Sequence, residues 1–221
     1  MKYDAIVLVA GSGKRMGIGK NKIFLKIDDK PIFQYSLDLF KTDVDCQKII
    51  LVGKKEEQVM FTSYLTENIV FAVGGQERQD SVRSALKLVG SDYVMIHDGA
   101  RPFINQSELN RLKEKPNSIL AVPVKDTIKQ VKSDGKIEQT IPRDTLFAAQ
   151  TPQCFQSNLI ISAHRKAFEN NFLGTDDASL IEEFEEVSVS IVEGSYNNIK
   201  VTTPEDILMA RLIKERMSTN G

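Results

Sequence analysis

The stretch AIVLVAGSGKRM, residues 5–16, decides how the rest of the chain is read. Its first six residues are an apolar run without a charge, which reads as a buried strand. The residues after that run are small, glycine-rich and then cationic. Gly11 and Gly13 remove Cβ bulk, so backbone N–H groups can turn toward a ligand and approach it closely. Lys14, Arg15, Lys20 and Lys22 add positive charge at the same end of the strand. A strand that ends in a backbone cradle ringed by cations suits phosphate; the plainer alternative is a surface turn with solvated lysines. Neither familiar nucleotide loop fits. The dinucleotide fingerprint matches Gly11 and Gly13 but meets Met16 where its third glycine belongs, and the next strand-like run ends in Gly53, Lys54 and Lys55 instead of an acid. The Walker pattern fails because Gly13 and Lys14 are followed by Arg15, not by Ser or Thr.

Working outward, strands alternate with helices. Residues 31–40 have apolar positions at helical spacing with a proline in the first turn, 49–52 read as a second buried strand, and 56–65 as a helix. Strand, helix and strand come next at 69–73, 79–88 and 93–96. This alternation predicts a mostly parallel sheet with helices on both faces. Residues 119–122 read as another central strand. Residues 123–141 then read as two polar-faced strands around the turn SDGK, 133–136. A hairpin with so little core of its own is expected to lie on a partner subunit. Helices are expected at 157–168 and 176–183, a strand at 187–192, and a closing amphipathic helix at 204–214. The expectation is one domain over 1–221, with a protruding arm at about 123–142.

Composition sets limits on function. The chain has 221 residues, enough for one domain with a sizeable core, and its 41% hydrophobic and 27% charged content is that of an ordinary globular protein. A formal charge of −1 argues against non-specific nucleic-acid binding, so any cationic function must be local. No stretch approaches the roughly 20 apolar residues of a membrane span, and the start lacks a signal peptide's basic and apolar regions. Cys46 and Cys154 have no metal-type spacing, and with two histidines a zinc site is not expected. A reducing, cytoplasmic setting is expected.

In an open parallel sheet, ligands sit beyond the carboxyl ends of the strands. Four of the connections there are rich in glycine and polar residues: the opening loop, GGQERQDS at 74–81, HDGAR at 97–101 and EGSYNNIK at 193–200. Asp98 ends an apolar strand and should face the site. There it would suit magnesium, which takes one or two carboxylates plus substrate phosphates. Equally, it would cap the next turn or pair with Arg101. Ser81 is expected to touch a base or sugar, or to cap its helix. His97 reads as a packing or hydrogen-bonding residue, and His164 is assigned no role.

Together these loops identify a resemblance. The segments AGSGKRM (10–16), NK (21–22), GGQER with Ser81, HDGARP (97–102), VPVKDT (122–127), AQTPQ (149–153), GTDDAS (174–179), VEGS (192–195) and NIKVTTPE (198–205) run in order over nearly the whole chain. They resemble the bacterial and plastid 2-C-methyl-D-erythritol 4-phosphate cytidylyltransferases of the non-mevalonate isoprenoid pathway. The resemblance implies a Rossmann-like, nucleotide-diphospho-sugar transferase-like α/β fold, use of CTP and Mg2+, and a homodimer whose β-arms cross. By position, Arg15 and Lys22 match catalytic phosphate-stabilising cations, and Lys200 a further phosphate-contacting lysine. Ala10, Gly11, Ser12, Gly13, Gly75, Gln76 and Ser81 match the nucleotide site, and Asp98 the acid near metal and substrate. Arg101, Arg143, Thr151 and Thr175 match the substrate side, Arg143 from across the dimer. Val9 and Asn197 depart from the pattern, which more often has Ala and Asp there. The second departure puts in doubt any carboxylate role at 197.

The implied chemistry is attack of a polyol phosphate on the α-phosphorus of CTP. The same family of structures includes ribitol-5-phosphate cytidylyltransferases of teichoic-acid synthesis, and the nucleotide half of the chain does not separate the two. The segments GTDDAS and PVKDT favour methylerythritol phosphate. A non-catalytic sugar-nucleotide-binding module is the alternative of another class, and the retention of Arg15, Lys22, Asp98 and Lys200 weighs against it.

Overall fold

The computed structural model describes residues 1–11 and 21–219. The apolar run at the start is β1 (Tyr3–Leu8), buried at every position. A small ribbon comes next, β2 (Lys26–Ile27) with β3 (Lys30–Pro31), and then α1 (Ile32–Thr42), with Pro31 as its N-cap. The chain continues through β4 (Cys46–Gly53), β5 (Ile69–Val73), α2 (Arg78–Leu86), β6 (Tyr93–Asp98), α3 (Gln106–Glu114) and β7 (Ser118–Pro123). β8 (Ile128–Val131) and β9 (Ile137–Ile141) form the expected hairpin, with Gly135 at φ +83° in its turn. The last elements are β10 (Phe147–Gln156), α4 (Ser157–Glu169), α5 (Asp177–Phe184), β11 (Ser190–Glu193) and α6 (Pro204–Thr219).

Seven strands form the main sheet in the order β11-β7-β10-β6-β1-β4-β5. β1 pairs parallel with β4 and β6, β4 with β5, and β7 with β11. β10 alone runs antiparallel, between β6 and β7. The period-two alternation of β1 distributes its side chains to two cores. Tyr3, Ala5 and Val7 pack with Phe33, Leu37 and Phe40 of α1 and Leu109 and Leu112 of α3. Ile6 and Leu8 face α2, α4 and α5 through Val82, Leu86, Ile160, Ala163 and Leu180. Helices therefore cover both faces, and every strand of this sheet except β10 delivers its carboxyl end to one edge.

Two expectations need correction, and two elements were not foreseen. Residues 56–65 are not an α-helix; Lys55–Tyr64 is a 3-10 run. Of its side chains only Phe61 is buried, while Val59 and Met60 are exposed, so no apolar stripe fixes an α-helical face. The strand expected at 187–192 begins only at Ser190. The sheet also contains β10, and a helix α3 stands at Gln106–Glu114, neither of which the hydrophobic pattern revealed.

Candidate active site

The loops that follow β1, β4, β5, β6 and β11 meet over the carboxyl edge of the sheet around a cleft of about 370 Å3. Its walls carry Ala10, Gly11, Lys22, Lys54, the segment from Gly75 to Arg78, Ser81, Asp98 and Lys200. Close packing of backbone makes this convergence possible. Gly99 N–H donates to the Leu8 carbonyl at 2.9 Å. A Cβ on Gly99 would lie 2.9 Å from that oxygen. After β5, Ser81 Oγ accepts from Gly75 N–H and donates to the Glu77 carbonyl, both at 3.1 Å, which curls the loop back on the start of α2. Asn21 is buried and donates to the Val9 carbonyl at 2.8 Å, holding Lys22 beside the end of β1.

Asp98 is the centre of charge. Its Oδ1 lies 3.3 Å from Arg78 Nε, and its Oδ2 2.6 Å from Lys200 Nζ. Burial acts to raise the carboxyl, but Arg78, Lys200 and Arg101 override it and hold it well below the ordinary carboxylate range. Of the alternatives open for Asp98, a pairing with Arg101 is not what the geometry gives: Arg101 directs Nη1 to the Asn198 carbonyl at 2.7 Å, and the cations that touch Asp98 are Arg78 and Lys200. Arg78 was missed as a site residue. The signal was a lone cation just after Gly74 and Gly75 at the first position of a helix.

The framework behind Asp98 is made of buried polar groups with defined partners. Thr151 Oγ1 accepts from the Asp98 backbone N–H at 3.0 Å and lies 3.1 Å from His97 Nδ1. Its single proton is then free for Nδ1, so the His97 ring carries its proton on Nε2, which faces Ser36 Oγ at 3.1 Å and the Arg101 carbonyl at 3.0 Å. Burial pushes the His97 imidazole down to about 4, so it is neutral near pH 7 and serves as a brace, as the sequence suggested. Asn198, fully buried, donates to the Thr151 carbonyl at 3.0 Å, and Val201 N–H to that of Ala100 at 2.9 Å. These two bonds bring the strand-following segment with Lys200 across to Asp98.

Among the described residues no cluster of three or more His, Cys, Asp or Glu side chains is placed to hold a metal. Asp98 and Glu77 are the carboxylates lining the cleft. Such a sparse set fits Mg2+ that completes its shell with phosphate oxygens and water, and does not resemble an all-protein cage.

The sequence comparisons agree with this geometry. The family model of 2-C-methyl-D-erythritol 4-phosphate cytidylyltransferase matches residues 4–216. The chain belongs to that family. A relative of that name from Bacillus cytotoxicus is 49% identical over 218 residues, covering 94% of this chain and 96% of its own. One from Clostridioides difficile is 44% identical, covering 96% and 93%. The crystal structure of the 4-diphosphocytidyl-2C-methyl-D-erythritol synthase from Anaerococcus prevotii superimposes with a TM-score of 0.86 at 30% identity, over 97% of this chain and 96% of that one. Family membership makes the chain a nucleotidyltransferase, and its mixed, mostly parallel sheet is the α/β architecture expected.

Set on this family's pattern, the matched positions separate into groups. Ala10, Gly11, Lys22, Gly75, Gln76, Ser81, Asp98 and Lys200 all line the cleft. Ser12, Gly13 and Arg15 lie outside the described residues. Thr175 lines a second cavity of about 200 Å3, whose wall it shares with Arg78 and Asp177. Thr151 and Arg101 do not line the cleft; their side chains are spent on the Asp98 N–H and the Asn198 carbonyl behind it. Arg143 is exposed at the base of the hairpin, with Nη1 donating to the Lys125 carbonyl at 2.6 Å. Asn197 is exposed and does not line the cleft, so its departure from Asp leaves the cleft wall unchanged.

Proposed function

We propose that the chain transfers the CMP moiety of CTP to 2-C-methyl-D-erythritol 4-phosphate, giving 4-diphosphocytidyl-2-C-methyl-D-erythritol and pyrophosphate in non-mevalonate isoprenoid precursor synthesis. The observation that carries the reading is the convergence of the family's loop motifs on one cleft, with Lys22, Lys200 and Asp98 in its wall. A phosphate monoester has a second pKa of about 6 and is mostly dianionic at pH 7, so the nucleophile needs no general base. That suits a cleft whose nearest imidazole, His97, is buried behind it and committed to structural bonds. The remaining difficulty is to bring two anions together and to stabilise charge on the transferred phosphoryl group and leaving pyrophosphate. Lys22 and Lys200 supply point charges there, and Arg15, by its place in the motif, a planar fork. Gly11 and Gly75 line the cleft without a side chain, and the Gly75 N–H, held by Ser81 Oγ, keeps that wall close to the space the nucleotide would take. Asp98 would hold Mg2+, which supplies charge neutralisation on the phosphates when bound.

On the substrate side the reading assigns Thr175, Arg101 and Thr151 to the polyol phosphate, the last two by shaping the wall. Arg143 reaches a partner's site from the arm of a homodimer. The two cysteines are free thiols, in keeping with work in the cytoplasm. No helix among the described residues is long and apolar enough to cross a membrane. The deciding measurement is pyrophosphate release from CTP and Mg2+ with methylerythritol 4-phosphate and, separately, ribitol 5-phosphate. Release with the first and little with the second is expected. Preference for ribitol phosphate would move the assignment to the teichoic-acid branch, and release with neither would overturn the enzymatic reading.

A further inference from the structure

Asp98 is the near end of a longer chain of charges. Arg78 holds Asp98 Oδ1 through Nε and places Nη2 2.7 Å from Asp177 Oδ2. This second contact is electrostatic in character and not a linear hydrogen bond. Asp177 Oδ1 in turn lies 3.1 Å from His164 Nε2, and both side chains are 1% exposed. A carboxylate oxygen only accepts, so His164 presents an N–H there. Lys200, Asp98, Arg78 and Asp177 alternate in sign, which is how charges are tolerated at this depth. His164 is the last link, on the apolar face of α4 beside Ala163, Ile160 and Ala167, where a hydrocarbon side chain would pack with less cost.

We propose that His164 is a positioning residue for Asp98: by holding Asp177 from behind, it fixes the Arg78 guanidinium, which sets the direction of the Asp98 carboxylate in the cleft. The proposal rests on reading Asp98 as the acid of the reaction site. His164 itself touches no substrate. Its effect is one of orientation because the backbones of both intermediates are anchored independently. Gln153 Oε1 accepts from the Asp177 and Ala178 N–H groups, both at 3.2 Å, and fixes the start of α5 to β10. Gln79 donates to the Phe172 carbonyl and accepts from Gly174 N–H, both at 2.9 Å, tying α2 to the loop before α5. The ring adds the direction of one carboxylate. Arg78 stands in the walls of both the nucleotide cleft and the smaller cavity that carries Thr175, so a turn of its guanidinium alters the two together.

The test compares His164→Leu, which removes the donor, with His164→Gln, whose side-chain N–H reaches a similar point. Steady-state kinetics in CTP and in the polyol phosphate, thermal melts, and a crystal structure of the Leu variant are the readouts. The Leu variant is expected to lose about tenfold in kcat, short of the roughly hundredfold that a ~1 Å misplacement of a reacting group can cost, with its KM for CTP within about twofold. Gln is expected to restore most of kcat, and Asp177→Asn to reproduce the loss in a side chain of the same shape. In the crystal, the Arg78 Nε to Asp98 Oδ1 contact is expected to open. Full kcat in His164→Leu or in Asp177→Asn, equal losses in Leu and Gln, or an unmoved Arg78–Asp98 contact would each overturn the proposal. A wild-type chain that releases no pyrophosphate would sink the functional assignment instead, while the crystallographic readout would still decide this one.

Discussion

Two carboxylates, Asp43 and Asp98, show how similar residues divide between fold and function. Asp43 follows α1, near the start of β1 and so at the opposite edge of the sheet from the cleft. It accepts from Tyr3 Oη, Gln106 Nε2 and Lys113 Nζ, each at 3.1 Å, and from Asp45 N–H at 3.0 Å. Burial acts to raise its carboxyl, but the Asp45 N–H, Lys113 and Gln106 more than offset this and hold it below the usual range. Asp98, by contrast, leans on Lys200, whose side chain is 40% exposed and long enough to turn toward a phosphate. Asp43→Ala strands the buried Tyr3 hydroxyl and leaves the Lys113 ammonium with Asp45 alone, and should cost about 1–3 kcal/mol in denaturant melts, with kcat per folded molecule unchanged. Because its folded pKa is depressed, the Asp43 contribution is complete above about pH 4 and is lost as pH falls through the lower folded value. The gap in stability between wild type and Asp43→Ala should therefore narrow below about pH 4. A constant gap, or a fall in kcat, would show that Asp43 acts otherwise. In the sequence Asp98 was visible because it ends an apolar strand, whereas its partner Arg78 comes from another loop and is brought to it only by the fold.

At the scale of elements, the loop between β5 and α2 is the most constrained part of the cleft. A Cβ on Gly75 would fall 2.3 Å from the Asp80 Cβ and 3.3 Å from its backbone carbon. Neither is a flexible tip, so the loop must move, and overpacking of this kind costs typically about 1–3 kcal/mol. If that strain opposes nucleotide binding, Gly75→Ala raises KM for CTP about tenfold. The CTP dependence of the initial rate checks this, and an unchanged KM would remove Gly75 from the nucleotide wall. Elements with apolar runs, such as β1, β4, β5 and β6, were legible because burial on both faces demands such runs. β10 was not, and the reason is chemical. Its central residues Gln150, Thr151 and Gln153 are polar yet buried, because each bonds a loop of the site: the Ser195 carbonyl, the Asp98 N–H and the start of α5. The register of β10 on β7 also breaks between Ala149 and Gln153, so no pairing period runs through it. A strand whose polar groups serve the site in this way does not look like a strand.

For the whole molecule, the question is what the hairpin of β8 and β9 lies on. Ile128, Val131, Ile137 and Phe147 at and below it are exposed, and a lone two-stranded hairpin is at best marginally stable in water. Its root, however, is tied to the body. Tyr196 Oη donates to the Pro123 carbonyl at 2.7 Å, and Lys125 Nζ sits 3.5 Å above the Tyr196 ring. Tyr196 belongs to the loop that carries Asn198 and Lys200, so any surface that orders the arm also steadies one wall of the cleft. A second copy of the chain, placing its arm and Arg143 beside that wall as proposed above, would satisfy both needs. Wild type is then expected to sediment as a dimer, and Ile137→Asp, with a charge in the covered face, as a monomer whose fold is intact. In the monomer kcat/KM for the polyol phosphate should fall by at least about tenfold, the scale of one lost charge-assisted contact, while KM for CTP stays near wild type. Arg143→Ala should reproduce that selective loss without dissociating the dimer, since it removes the contact and leaves the apolar face. A monomeric variant with full activity would show that each cleft is complete within its own chain and that the arm serves assembly alone.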